Sequence, residues 1–269
     1  DSTGQGCRHL FTTSGEGVTN RYGTSRHVLI TDITASANGE NDSTLPLFDT
    51  HGEGWAVIFQ NLHITIPTEK GIVKAPFTGN ANRAIQTRSR GTVIRNCYIQ
   101  GSGVSNAILV VGADCKIENC HISNCWRGIR VQNDPDGGTN GDVDRCIIRG
   151  NRIINCTGSG VYLDDGTAHL VQGNDFNNCG QGSSGESASA IYIDTTTPDD
   201  IQITGNNIPN TGNEFAVGGT VFNPTQVTLS GNNLRGYSSD GTSTDSGFDP
   251  ASSAAVSLET EATTYNFTD

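Results

Sequence analysis

The chain contains no apolar run approaching the roughly 20 residues that a membrane-spanning helix needs. It also has no stretch with apolar residues at i, i+3, i+4 and i+7, so amphipathic helices are not expected. Aromatic residues make up 6% and hydrophobic residues 33% of the 269 positions, too lean for one thick globular core. Lysine is scarce, with only Lys70, Lys74 and Lys116, and the formal charge is −12, which argues against a nucleic-acid partner. An acidic, lysine-poor composition fits a protein from a salt-loving organism and fits equally a small acidic surface domain. The basic residues are unevenly spread. Arg83 to Arg152 holds ten basic against six acidic residues, a balance of +4, while the remainder holds six against 22, a balance of −16.

What the chain has instead is glycine, 34 residues of it, and a repeat. Seven segments share one pattern: Phe59–Ile64, Ile94–Ile99, Ile117–Ile122, Ile148–Ile153, Val171–Phe176, Ile203–Ile208 and Leu229–Leu234. Taking the last apolar residue of each as an anchor, the steps are 35, 23, 31, 23, 32 and 26 residues, too irregular for a helical repeat. Short apolar alternation broken by Gly and Asn reads as strands joined by turns. Unusual residues keep register with the anchors. Asn124, Asn155, Asn178 and Asn210 follow by two positions, and Cys125, Cys156 and Cys179 by three; Cys97 and Cys120 precede by two, and Cys115 and Cys146 by seven. Parallel strands stack like residues about 4.8 Å apart, so these positions predict vertical columns of hydrogen-bonded amides and buried thiols. Adjacent rungs could also bridge Cys97 to Cys120 or Cys115 to Cys146. Free buried thiols would suit assembly in a reducing cell, as for a virion part.

The N-x-x-I and G-N-x-I repeats, with an Asn ladder at one turn, resemble the right-handed parallel β-helix superfamily, which includes pectate-lyase-like enzymes and phage tailspikes. The resemblance covers about Trp55 to Arg235. It implies an all-β, single-stranded right-handed parallel β-helix (a solenoid), with 1–54 as an irregular N-terminal cap, 55–237 as the solenoid, and 238–269 as a linker and C-terminal capping segment. The paired-Asp and Gly-His-Gly signatures of the polygalacturonase branch are absent. A homotrimer formed through flat faces, as in tailspikes, is a further expectation of the resemblance.

A second strand precedes several anchors: Ile129–Asn133, Val161–Asp165 and Ile191–Thr195. Alternation turns the first and third positions inward and places Arg130, Tyr162 and Tyr192 in one outward row, with Gln132, Asp164 and Asp194 in another. Asp165 follows at the turn. Sugar rings stack their C–H faces on Tyr, and their hydroxyls bond carboxylates and amides. Asp164, Asp165 and Asp194 are therefore candidate catalytic carboxylates: like charges on neighbouring rungs push one pKa up, which makes an acid beside a base. Carboxyls about 5 Å apart suit a retaining glycosidase, and about 6.5–9.5 Å an inverting one. Lyase chemistry is a variant in which Arg127, Arg130 and His169 meet an acidic sugar. Gln132, Tyr162 and Tyr192 complete the candidate substrate-binding set; Trp126 is expected to pack at a turn.

The insertion between Asn133 and Arg145 carries Asp134, Asp136, Asn140, Asp142 and Asp144 on a Gly-rich loop, an oxygen set of the kind Ca2+ takes, though without an EF-hand's closing Glu. An unliganded acidic loop is the other reading. The function expected is an extracellular, cell-surface or virion-surface protein that binds a polysaccharide or surface glycan, with binding alone and cleavage by a glycosidase- or lyase-like route both left open by the residues. Its rival is a non-catalytic structural or adhesive rod that binds a receptor.

Overall fold

The computed structural model describes residues 10–13, 27–36, 46–51, 54–66, 83–101, 106–133, 143–181, 188–194, 200–209, 211, 215–219 and 227–234. Its strands are β1 (Phe11–Thr13), β2 (Leu29–Thr31), β3 (Thr34–Ser36), β4 (Phe48–Thr50), β5 (Ile58–Gln60), β6 (His63–Ile66), β7 (Arg83–Thr87), β8 (Val93–Arg95), β9 (Tyr98–Gly101), β10 (Asn106–Val110) and β11 (Lys116–Glu118). They continue with β12 (His121–Ser123), β13 (Arg127–Val131), β14 (Ile147–Arg149), β15 (Arg152–Cys156), β16 (Val161–Leu163), β17 (Leu170–Gln172), β18 (Asp175–Cys179), β19 (Ser189–Ile193), β20 (Ile201–Thr204), β21 (Phe215–Gly219) and β22 (Val227–Ser230). Every pairing is parallel and joins one coil to the next. Three sheets result: face A (β1-β4-β7-β10-β13-β16-β19-β21), face B (β2-β5-β8-β11-β14-β17-β20-β22) and face C (β3-β6-β9-β12-β15-β18). No helix among the described residues is long and apolar enough to cross a membrane.

The turn from face B to face C is two residues long in coil after coil, and it explains the repeat. Its first residue is Asp32, Asn61, Asn96, Asn119, Gly150, Gly173, Gly205 or Gly231, all left-handed with φ between 53° and 64°. Asn, Asp and Gly tolerate this region; bulkier side chains do not. At Gly150 a Cβ would lie 2.6 Å from Asn119 Oδ1, so the side chain below forces the change from Asn to Gly. The second residue points inward: Leu62, Cys97 and Cys120, then Asn151, Asn174, Asn206 and Asn232, all buried. Asn174 Oδ1 accepts from the backbone N–H and the side-chain amide of Asn151, both at 3.0 Å. Its Nδ2 donates to the Ile148 carbonyl (2.9 Å) and to Asn206 Oδ1 (3.0 Å). This buried ladder is a second one, inside the coil. The ladder expected from sequence is also present but on the surface: Asn155 Nδ2 donates to Asn124 Oδ1 at 3.2 Å and Asn178 Nδ2 to Asn155 Oδ1 at 2.8 Å. Asn210 lies outside the described residues, and the Asn178 N–H is met instead by Thr211 Oγ1 at 2.9 Å.

The thiol columns are real. All seven described cysteines are buried and free, and Cys156 pairs in register with Cys179. Burial pushes the Cys125 thiol up to about 12. Hydrogen bonding to a neighbouring thiol, then burial, also raises Cys120, Cys146 and Cys156. The column of Cys115 and Cys146 continues upward into His169, seven residues before its own anchor Phe176. His169 is only 1% exposed. Its Nδ1 accepts the Cys146 N–H at 3.3 Å and its Nε2–H donates to the Asp165 carbonyl at 2.9 Å. This corrects its assignment as a substrate-binding residue: the imidazole is a backbone brace.

The solenoid also begins earlier than residue 55. β1 to β4 already lie in the three sheets, β2 pairing with β5 and β3 with β6, so Leu10 to His51 includes coil rather than only cap. The sequence 238–269 lies outside the described residues.

Asn174→Leu should strand a backbone N–H, a carbonyl and two amides, costing on the order of 3 kcal/mol, whereas Asn155→Ala on the exposed ladder should cost under about 1 kcal/mol; thermal melts of the two variants check this. In native protein at about pH 8, the seven buried thiols should not react with a disulfide reagent until denaturant is added. His169 is held below its ordinary value by burial. Its neutral form therefore stabilises the fold above about pH 6.5, and that contribution is lost as the pH falls and the unfolded chain takes up the proton. Between about pH 7.5 and about pH 5.5 the drop in Tm should be smaller in His169→Gln than in wild type.

Candidate functional site

Chain length varies only at the two edges of face A. The steps from β6 to β7, β9 to β10 and β18 to β19 enter that face with different lengths, as do the exits after β13, β16 and β19, while the turn from B to C stays at two residues. Within face A five successive rungs, β7 to β19, repeat a small residue, a β-branched residue, an outward position and an inward one: Ala84-Ile85-Gln86-Thr87, Ala107-Ile108-Leu109-Val110, Gly128-Ile129-Arg130-Val131, Gly160-Val161-Tyr162-Leu163 and Ala190-Ile191-Tyr192-Ile193. The small residue has a physical cause, since a Cβ at Gly128 would lie 2.5 Å from the Gly160 carbonyl oxygen.

The expected rows form. Gln86, Leu109, Arg130, Tyr162 and Tyr192 are register partners on successive rungs. Their surroundings differ from expectation. Tyr162 and Tyr192 are 5% and 6% exposed, and their rings stack on each other with centroids 5.6 Å apart and planes 3° apart. The Arg127 and Arg130 guanidiniums lie 4.6 and 5.1 Å from the Tyr162 ring centre. The Tyr faces are therefore taken, and they do not form an open platform for sugar rings. The register that aligns the tyrosines is also what covers them.

Asp164 and Asp194 occupy equivalent places on neighbouring rungs, their N–H groups bonded to Val131 and Leu163. Arg130 pairs with Asp164 through Nη2 and through Nε at 3.2 Å. Asp194 accepts the Tyr162 hydroxyl at 2.6 Å. Asp165 is turned away into the corner, where it accepts from Asn133 Nδ2 and from the Gly166 N–H at 2.8 Å. Asp165 thus braces the turn and does not join the other two. Trp126 packs over Gly158, where a Cβ would lie 3.2 Å from its Cε2.

Beside these pairs lies a floor of buried side chains. Leu109 and Val111 are fully buried on the outer side of the face, as is Gln86, and Gln132 is 4% exposed. Gln86 Oε1 accepts from Arg83, which fixes the orientation of the amide, but Gln86 Nε2 makes no hydrogen bond among the described residues. Among these residues Gln132 Oε1 makes none either, nor does Ser189 Oγ. Arg88 (18% side-chain exposure), Arg130 (19%) and Asp164 (26%) form a half-open rim. Of these residues, sequence reasoning missed Gln86, Arg88 and Ser189; the small–branched–outward–inward pattern would have found the first.

Among the described residues no group of His, Cys, Asp and Glu could hold a metal ion. Asp134, Asp136, Asn140 and Asp142 lie outside the described residues. Asp144 accepts from the Thr167 N–H at 2.9 Å and its hydroxyl at 3.0 Å, a corner brace.

No curated protein and no solved structure matches the chain. The family described as right handed beta helix region matches residues 23–208 and, again, 140–258. Coil geometry, parallel register and this match agree, and the chain belongs to the right-handed β-helix family.

Proposed function

We propose that this protein binds a polysaccharide along face A, at a cell or virion surface, with Gln86, Gln132, Arg130, Asp164 and Asp194 as the recognition set. The observation that carries the reading is two buried amide atoms unpaired among the described residues: Gln132 Oε1, on the rung of the Arg130–Asp164 ion pair, and Gln86 Nε2, two rungs away across Leu109. A buried polar atom without a partner costs about 1–3 kcal/mol and calls for an explanation, and a ligand that supplies the missing bond is one. Sugar hydroxyls donate and accept, so one class of ligand meets both an orphan donor and an orphan acceptor. Recognition here runs through hydrogen bonds to amides and charged groups, with the stacked tyrosines holding Asp194 in place.

Cleavage is a second reading, favoured by Asp164 and Asp194 standing one rung apart, about 4.8 Å along the coil axis. The two readings separate in one set of measurements. Gln132→Leu should weaken glycan binding about tenfold or more while leaving the melting temperature unchanged or raised, because it removes an unpaired buried oxygen. A glycan array identifies the ligand, and calorimetry on wild type and variant checks the loss. If wild type also releases reducing ends and both Asp164→Asn and Asp194→Asn abolish that release, the protein is a depolymerase. A wild type that binds no glycan at all sinks the proposal and leaves the structural rod.

A further inference from the structure

Face B carries a second surface that the recognition set on face A does not use. The strands β8, β11 and β14 are consecutive rungs. On their outer side Arg95, Glu118 and Arg149 form one row and Val93, Lys116 and Ile147 the next. At the adjoining corner Arg90 and Arg145 both bind Asp114, at 2.5 and 2.7 Å. Arg149 pairs with Glu118 at 2.8 Å, and Asp144 lies 3.7 Å from Arg145. Five cations thus stand against three carboxylates, in a chain whose net charge is −12.

The surplus is localised. Lys116 is exposed and has no ion pair among the described residues, and Arg95 is exposed and held only by the neutral Gln60 Oε1 at 2.8 Å. Arg90, Arg145 and Arg149 remain half-exposed, at 51%, 50% and 53%, so their outer N–H groups still face solvent. The carboxylates beneath them orient the guanidiniums without covering them. Arg95 and Arg149 are two rungs apart, about 10 Å, with Lys116 on the rung between.

The same face is apolar between its charges. Leu29, Ile58, Val93, Ile147 and Leu170 follow one another in the outward row that Lys116 interrupts. Trp55, 50% exposed, lies at its edge with the Arg90 guanidinium 5.5 Å from its ring centre.

We infer that face B around Lys116 and Arg95 is a binding site for an acidic polysaccharide, one whose sugars carry carboxylate or sulfate groups. This rests on the glycan-binding reading above and assigns it a charge class and a second contact surface. Cations at spacings of one and two rungs meet negative groups carried on successive sugars, and the aliphatic row with Trp55 receives the C–H faces of the rings. A nucleic-acid duplex fits less well: it carries a charge every ~1.7 Å, and a protein of this net charge repels it beyond so small a patch.

The test measures binding of the full chain to alginate, dextran sulfate, neutral dextran and a DNA duplex, at low and at high salt, for wild type, K116Q, R95Q and the Gln132→Leu variant. K116Q breaks no ion pair, so its fold should persist, and a melt confirms it. The expected result is salt-sensitive binding to alginate or dextran sulfate, weakened on the order of tenfold by K116Q or R95Q. Acidic-glycan binding that both variants leave unchanged overturns the inference while the reading of face A stands. So does binding confined to neutral glycans and lost in the Gln132→Leu variant. Binding to the duplex alone, lost in K116Q, overturns it in favour of a nucleic-acid site. A wild type that binds no glycan of any charge overturns both readings together.

Discussion

Everything in this molecule depends on one corner. The two-residue turn from face B to face C sets a left-handed residue and then a buried one, and it does so without a change of length in each described coil. Because that turn is fixed, each coil returns to the same place above the last, and the parallel bonds put like beside like at about 4.8 Å. Where the buried residue is Asn, its side chain meets the backbone of the coil below: Asn151, Asn174 and Asn206 accept the N–H groups of Cys120, Asn151 and Asn174 at 2.9 to 3.0 Å. In a low-dielectric interior such a column is strong when every member is satisfied and costly when one is lost. Cys97 and Cys120 fill the same column in earlier coils as compact apolar plugs, so the column changes chemistry midway without changing shape.

That rule explains what could be read from the sequence. The solenoid was legible because the corner imposes N-x-x-I or G-N-x-I in the same register each time, and the Cys columns followed from the same anchors. The buried ladder was written in the repeat itself, at Asn151, Asn174, Asn206 and Asn232, but nothing in one sequence says which of two Asn columns faces inward. The first coil was hidden by small substitutions. Ile30-Thr31-Asp32-Ile33-Thr34-Ala35 obeys the pattern with Asp as the left-handed residue, φ 58°, and Ala as the anchor. His169 was misread because a histidine near a turn looks like chemistry; its column, shared with Cys115 and Cys146, marks it as a brace.

The rows of face A were legible in the sequence, and their exposure was not. Alternation places Arg130, Tyr162 and Tyr192 on one side of face A, and the register confirms that row. Exposure is a different matter, since it depends on what the row packs against, and a row of like rings at rung spacing packs against itself. An aromatic column on a parallel β-helix therefore offers ring edges and hydroxyls in place of faces. Face C repeats the lesson: Tyr98 stacks on His121 with centroids 4.9 Å apart, and His63 lies tilted against Tyr98 at 4.7 Å. Trp55, whose column neighbour is Arg90, is 50% exposed and carries the Arg90 guanidinium 5.5 Å from its ring centre.

Faces A and B differ in how their outward side chains can be varied. Face A is flanked by the corners whose length is free to change, and it carries buried side chains with hydrogen bonds unmet among the described residues, as at Gln86 and Gln132. Such atoms lower stability until a ligand meets them, and a fold held by a satisfied Asn column and a continuous aliphatic core tolerates that loss. Face B shares its variable corner with face A, where the long exit after β13 enters, and is fixed at its other edge by the two-residue turn. Beside the fixed corner the freedom left is in which side chains project from the rungs. Charge can change there without disturbing the coil, and five cations gather on these rungs in an acidic chain.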